Sequence, residues 1–228
     1  MFNQEKVGAI IVAAGKGERM CGVDKLFAHL NGLSVLEHAT LPFNSSPYVD
    51  SIIVVLGHAN LQKGHSLLQQ RIINKSFMTC SGGTRRQDSV YAGLKNLSFC
   101  QWIIIHDGDR PFVSEDLIAS GLEKAQETGA AIAAIPVIDT IKLIDEHHYV
   151  KETLPRNLLW NIQTPQVFRA DIITKAYNQV LDNVTDDAKL VESLGIKVKI
   201  FTGHYNNIKL TTPIDLTIAR ILCEQEKT

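Results

Sequence analysis

Three short stretches of this 228-residue chain carry residue types that can handle phosphate. The first, Ala13-Ala14-Gly15-Lys16-Gly17-Glu18-Arg19-Met20, with Lys25 a few residues on, mixes small residues with cations. Small residues let backbone N–H groups approach a polyphosphate closely, and the cations offset its charge. Met20 stands where the third glycine of a G-x-G-x-x-G turn belongs, so a dinucleotide fingerprint is excluded, and no Gly-Lys-Ser/Thr supplies a Walker form. The second stretch runs from Ser81 to Ser89. Gly82 and Gly83 permit backbone contact with a flat base, and Ser89, one turn into a following helix, can face the same site. The third is His106-Asp107-Gly108-Asp109-Arg110-Pro111. A carboxylate at Asp107 suits a hydrated magnesium ion or a ribose hydroxyl, and Arg110 suits a phosphate. His106, which precedes the loop, reads as a structural residue pointing into the sheet layer. Each stretch also has a plainer reading: a Gly-rich turn with solvated charges, a strand-end glycine before a basic helix, and a capped turn with an internal Asp–Arg pair.

The elements around these stretches explain how they could meet. Solid apolar runs at Val7–Val12 and Ser51–Leu56, with shorter ones at Phe77–Cys80, Trp102–Ile105 and Ala130–Val137, read as buried strands. Helical segments alternate with them: a Ser34–Glu37 capping box opens one, others start near Asn60, at a Thr84 cap and at Ser114. This rhythm predicts a three-layer α/β/α, Rossmann-like, mostly parallel sheet. In such sheets ligands sit beyond the carboxyl ends of the strands. The three stretches each follow a strand, so they are expected to share one rim. Residues 139–156 break the rhythm, with weak alternation and a polar centre at Asp145–His148, and read as a projecting β-hairpin arm that a partner subunit would cover. Helices are expected at Arg169–Leu181 and, after a Thr185 cap, at Asp186–Leu194, then a strand at Lys197–Phe201. Thr212-Pro213 places a cap and a first-turn proline on the last helix. One domain is expected over residues 1–228.

Composition narrows the class. Apolar residues make up 45% and charged residues 21%, and the net charge is −1, so no general field draws nucleic acid or an anionic membrane. Any anionic substrate must be held by a local cluster of cations. Cys21, Cys80, Cys100 and Cys223 show no C-x-x-C spacing, which points to reduced thiols and a cytoplasmic protein. The opening residues run almost directly into a strand, so no signal or transit peptide is expected, and no apolar run reaches the length of a membrane span.

The three loops in order, followed by Asp139-Thr140, Arg156 with Trp160, Thr164-Pro165-Gln166, Thr185-Asp186 and Asn207–Leu210, resemble the 2-C-methyl-D-erythritol 4-phosphate cytidylyltransferase family over nearly the whole chain. That resemblance implies transfer of CMP from CTP to a polyol phosphate with release of pyrophosphate, aided by Mg²⁺ or another divalent cation. It implies transition-state cations at Arg19 and Lys25 and nucleotide contacts from Ala13, Ala14, Gly15, Gly17, Gly82, Gly83, Ser89 and Asp107, the last also serving the metal. Arg156 and Lys209 would position the acceptor with Thr164 and Thr185, and Thr140 and Arg110 would contribute across the interface of a homodimer with embracing arms. Acceptance of ribitol 5-phosphate, a sugar-1-phosphate nucleotidyltransferase activity and a catalytically silent nucleotide-binding paralogue are the alternatives. The chain departs from the family pattern at Gly22-Val23-Asp24, where proline is frequent, at Leu26, where glutamine is frequent, and at Asp109, where a small residue is usual.

Overall fold

The uninterrupted apolar run Val7–Ala13 forms β1 and is buried almost throughout, as a strand covered on both faces must be. The computed structural model describes residues 1–15, 24–179, 184 and 186–225. After a 3-10 turn at Lys25–Phe27, the chain makes a small hairpin of β2 (His29–Leu30) and β3 (Leu33–Ser34). Ser34 then caps α1 (Val35–Ser45), and Glu37 completes the expected capping box. There follow β4 (Ser51–Leu56), α2 (Leu61–Gln69), β5 (Ser76–Ser81) and α3 (Arg86–Leu94). Next come β6 (Trp102–Asp107), α4 (Glu115–Ala125) and β7 (Ala130–Pro136). The arm consists of β8 (Lys142–Ile144) and β9 (Val150–Thr153). The chain returns through β10 (Trp160–Arg169), α5 (Ala170–Gln179), α6 (Asp187–Glu192), β11 (Lys199–Thr202) and α7 (Pro213–Gln225).

Seven strands form one sheet in the order β11-β7-β10-β6-β1-β4-β5. All its pairs are parallel except those of β10, which runs against both β6 and β7. Helices cover both faces, as the sequence predicts. On one face Phe43, Leu68 and Ile118 of α1, α2 and α4 pack on Ile11 and Val54. On the other, Val90, Ile173 and Leu190 of α3, α5 and α6 pack on Ile10, Ile53 and Ile105. The apolar side of α7 (Leu216, Ala219) closes over Leu30, Val35 and Leu210. No helix among the described residues is long and apolar enough to cross a membrane.

Strand β10 is the central element that sequence reading misses, besides the small β2–β3 hairpin. Thr164-Pro165 argues against a central strand, because proline donates nothing to a ladder. The fold accommodates Pro165 in a break of register between Ile162 and Gln166, where β10 bulges away from β7. Two caps also differ from expectation. Thr84 does not cap α3; its hydroxyl donates to Asp88 (3.2 Å), whose carboxylate also accepts the Arg85 backbone N–H (3.1 Å). Helix α6 is capped by Asp186, which accepts from the Lys189 N–H, and Thr185 lies outside the described residues.

The reversed strand carries a large share of the core at Val167 and Phe168, both fully buried. Phe168→Ala should therefore cost about 3–5 kcal/mol, read as a lowered midpoint in urea unfolding followed by circular dichroism.

Candidate active site

The carboxyl ends of β1, β4, β5 and β6 lie side by side, with Ala13 opposite Leu56, Leu56 opposite Ser81 and Val12 opposite Asp107. The loops that follow touch one another. A Cβ on Gly82 would stand 2.4 Å from Cβ of Ala14, and one on Gly108 would stand 2.9 Å from Cβ of Ala13. Glycines at 82 and 108 are thus what let the second and third loops close on the first. Ser89, expected to face a ligand, also has a part in the loop itself. It is buried behind the second loop, accepting from the Gly83 N–H (3.2 Å) and donating to the Arg85 carbonyl (3.1 Å), so it holds the loop in shape.

Asp107, at the last position of β6, is the centre of the rim. Its Oδ1 accepts from Nε of Arg86 (3.1 Å) and its Oδ2 from Nζ of Lys209 (2.9 Å), while Nε of Arg110 stands 3.7 Å from Oδ2. Burial pushes this carboxyl up, but the charges of Arg86, Lys209 and Arg110 outweigh it and hold it well below the usual carboxylate range. Arg86 in turn donates to Asp187 (2.7 Å), a nearly inaccessible carboxylate at the start of α6 that also accepts from the Tyr177 hydroxyl. Burial and the adjacent Asp187 charge raise the Tyr177 phenol. Arg86, Asp187 and Tyr177 are absent from the sequence reading, yet one signal was available. An arginine in the first turn of a helix opposes the helix dipole, so Arg86 needed a carboxylate to justify its place.

A second network fixes the backbone of Asp107. The Arg110 carbonyl can only accept, so His106 carries its proton on Nε2 (3.0 Å). Its bare Nδ1 then accepts from the Thr164 hydroxyl (3.0 Å), and that oxygen accepts the Asp107 N–H (3.0 Å). Burial is the main cause that lowers the His106 imidazole to about 4. His106 is therefore neutral and structural, as expected. Thr164, expected at the acceptor, is buried with its hydroxyl engaged in this chain, and Asn207 anchors its carbonyl (2.8 Å).

The remaining expected residues divide. Lys25, Lys209, Arg110 and Asp107 come together at the rim. Gly17, Arg19 and Thr185 lie outside the described residues. Arg110 is buried, with Nη1 donating to the Asn207 carbonyl of its own chain (2.7 Å). Thr140 and Arg156 are instead exposed at the roots of the arm, where Arg156 donates to the Ile138 carbonyl (2.6 Å). The expectation that Asp107 offers its carboxylate to a metal meets a group whose two oxygens already face cations. Among the described residues no cluster of three His, Cys, Asp or Glu could hold an ion.

An open, mostly parallel sheet whose carboxyl rim gathers cations and close-packed small-residue loops defines an α/β protein built to take phosphorylated ligands at that rim. The family model of IspD, 2-C-methyl-D-erythritol 4-phosphate cytidylyltransferase, matches residues 7–225, and the chain belongs to that family. A relative of that name from Dehalococcoides mccartyi strain CBDB1 is 52% identical over 225 residues, covering 99% of each chain. Among solved structures, the 4-diphosphocytidyl-2C-methyl-D-erythritol synthase of Anaerococcus prevotii is similar at 32% identity with a TM-score of 0.87, over 96% of both chains. The 2-C-methyl-D-erythritol 4-phosphate cytidylyltransferase of Thermus thermophilus is similar at 31% identity and a TM-score of 0.78, covering 96% of this chain and 99% of that one.

The His106 network has a pH signature. Its folded value of about 4 lies below the ordinary 6.5, so the unfolded chain binds the proton more tightly. The stability this supplies is complete above about pH 6.5 and is lost as pH falls toward 4, by up to about 3 kcal/mol. His106→Asn, which cannot take the proton, should show a flatter pH dependence of urea unfolding between pH 7 and 4.5 than the wild type.

Proposed function

We propose that this protein transfers CMP from CTP to the phosphate of 2-C-methyl-D-erythritol 4-phosphate, a step in making isoprenoid precursors. The observation that carries the reading is the cation cluster on Asp107, set on the rim shared by the three loops of a family member. An acceptor phosphate oxygen attacks the α-phosphorus of CTP in line; the new P–O bond forms as the α–β bridge breaks and pyrophosphate leaves. A phosphate monoester is already anionic near neutral pH, so no general base is needed, and catalysis is alignment plus charge neutralisation. This accounts for a rim of Arg and Lys in which His106 is buried and neutral. Lys209 and Arg110 would take the acceptor phosphate, while the Gly82–Gly83 loop would take the base and Lys25 and Arg19 the triphosphate. The names of the relatives favour methylerythritol phosphate over ribitol phosphate.

The arm supports a homodimer. Leu143, Ile144, Tyr149 and Val150 are exposed on it, and a two-stranded ribbon carrying exposed apolar residues is marginal in water unless another chain covers it. In this reading Arg156 and Thr140, rather than Arg110, reach the partner's site. Among the described residues no group of carboxylates or imidazoles gathers to build a magnesium site, and Asp107 is engaged by cations. A divalent ion would arrive with the triphosphate, held chiefly by phosphate oxygens and water. Free thiols at Cys80 and Cys100 accord with a cytoplasmic setting.

Pyrophosphate release assayed with CTP and methylerythritol phosphate tests the activity, and turnover with ribitol 5-phosphate instead would overturn the acceptor. Lys209→Ala should lower kcat/KM for the acceptor on the order of a hundredfold with CTP affinity nearly unchanged. Subunit mixing tests the arm. Lys209→Ala and Arg156→Ala homodimers should each be inactive, but an equimolar mixture should regain roughly a quarter of wild-type activity, because about half of its dimers are mixed and one of the two sites in each is then complete. No recovery would place Arg156 in its own subunit's site. Chelation with EDTA should abolish turnover while leaving Tm unchanged; a falling Tm would reveal a protein-held ion.

A further inference from the structure

Lys25 is held more tightly than a phosphate-binding lysine needs to be. Its Nζ lies 2.6 Å from Oδ2 of Asp109 and 2.8 Å from the carbonyl oxygen of Leu210. Both side chains of the pair are only 13% exposed, so water screens the contact weakly. An ammonium has three N–H groups, and two of these are engaged. Asp109 cannot follow Lys25 toward a ligand, because its own carbonyl is tied to the Leu210 N–H (2.9 Å). Its second oxygen, Oδ1, is buried with no hydrogen-bond partner among the described residues, which leaves the carboxylate strongly dependent on the ammonium at Oδ2.

We propose that Asp109 is a built-in competitor for the Lys25 ammonium, and that it sets how tightly the protein grips the triphosphate and, after transfer, pyrophosphate. The inference rests on Lys25 belonging to the triphosphate site, as proposed above. Carboxylate and phosphate oxygens are both hard anionic acceptors for the same N–H groups. Lys25 either leaves Asp109 to bond a phosphate or offers its third N–H with most of its charge already cancelled. Both routes weaken the attraction, and both ease departure of a multiply charged product whose release can limit turnover.

The test is a double-mutant cycle read by calorimetry, with CTP and then pyrophosphate titrated into the full-length protein in magnesium buffer. The proteins are wild type, Asp109→Asn, Lys25→Ala and the double variant. Asparagine keeps the size of Asp109 and can still accept from Lys25, but it removes the charge. Asp109→Asn should bind both ligands roughly tenfold more tightly, the effect of cancelling one screened charge pair. Lys25→Ala should bind them more weakly, and the double variant should bind no more tightly than Lys25→Ala. Unchanged or weaker binding in Asp109→Asn, with Lys25→Ala weakened, overturns the competition while leaving the triphosphate site in place. A gain that persists in the double variant also overturns it, because Asp109 would then act without Lys25. Wild-type affinity in Lys25→Ala removes the site assignment and the inference together. Asp109→Ser, checked by its melting curve, replaces the asparagine variant if that one does not fold.

Discussion

A carboxylate taken out of water must find its charge matched nearby, and stranding one by removing its partner costs about 3–5 kcal/mol. Asp107 meets that requirement with cations drawn from separate parts of the chain: Arg86 from α3, Arg110 from its own loop and Lys209 from the segment after β11. Three guanidinium and ammonium groups would repel one another without it. The anion at the end of β6 is therefore what allows so much positive charge to collect in one place. Asp187 repeats the device on the far side of Arg86. Across the cluster three cations face two carboxylates, so the rim keeps an excess positive charge for an anionic ligand while each charge has a neighbour.

Shape at the rim depends on equally local constraints. Gly108 and Gly82 carry no side chain because Ala13 and Ala14 press against them. The small residues that suggest a phosphate cradle are thus used first to seat loop on loop. The two uses agree, since loops packed this closely expose backbone rather than side chains to whatever lies above. The His106–Thr164 chain then fixes the height of Asp107 against β10, tying the one reversed strand to the chemistry.

Much of this was legible in the residues themselves. Long apolar runs and a Ser34–Glu37 capping box have local causes, so β1, β4 and α1 follow from spacing alone. So does the convergence of the three loops, which is a property of parallel sheets. What stayed hidden depends on contacts distant in sequence. Strand β10 carries a proline whose missing N–H is harmless only because the ladder already breaks there. Ser89 and Thr164 have hydroxyls that suit a ligand, and nothing in their neighbourhoods reveals that buried backbone groups claim them. Arg86 and Asp187 are 101 residues apart, and no periodicity joins them. Arg110 and Arg156 look interchangeable as cations until burial separates the one inside the rim from the one on the arm.

The arm is less an insertion than a prolongation. Trp160 of β10 lies opposite Pro136 of β7, so these two core strands already form the base of an antiparallel ribbon before β8 and β9 begin. Length can be added to or removed from such a ribbon at its far end without shifting a single pairing in the sheet below. Selection could therefore reshape the surface that the arm presents while the carboxyl rim of the sheet stays untouched. One direction reversal in the sheet gives this protein a surface free to evolve at a different pace from its chemistry.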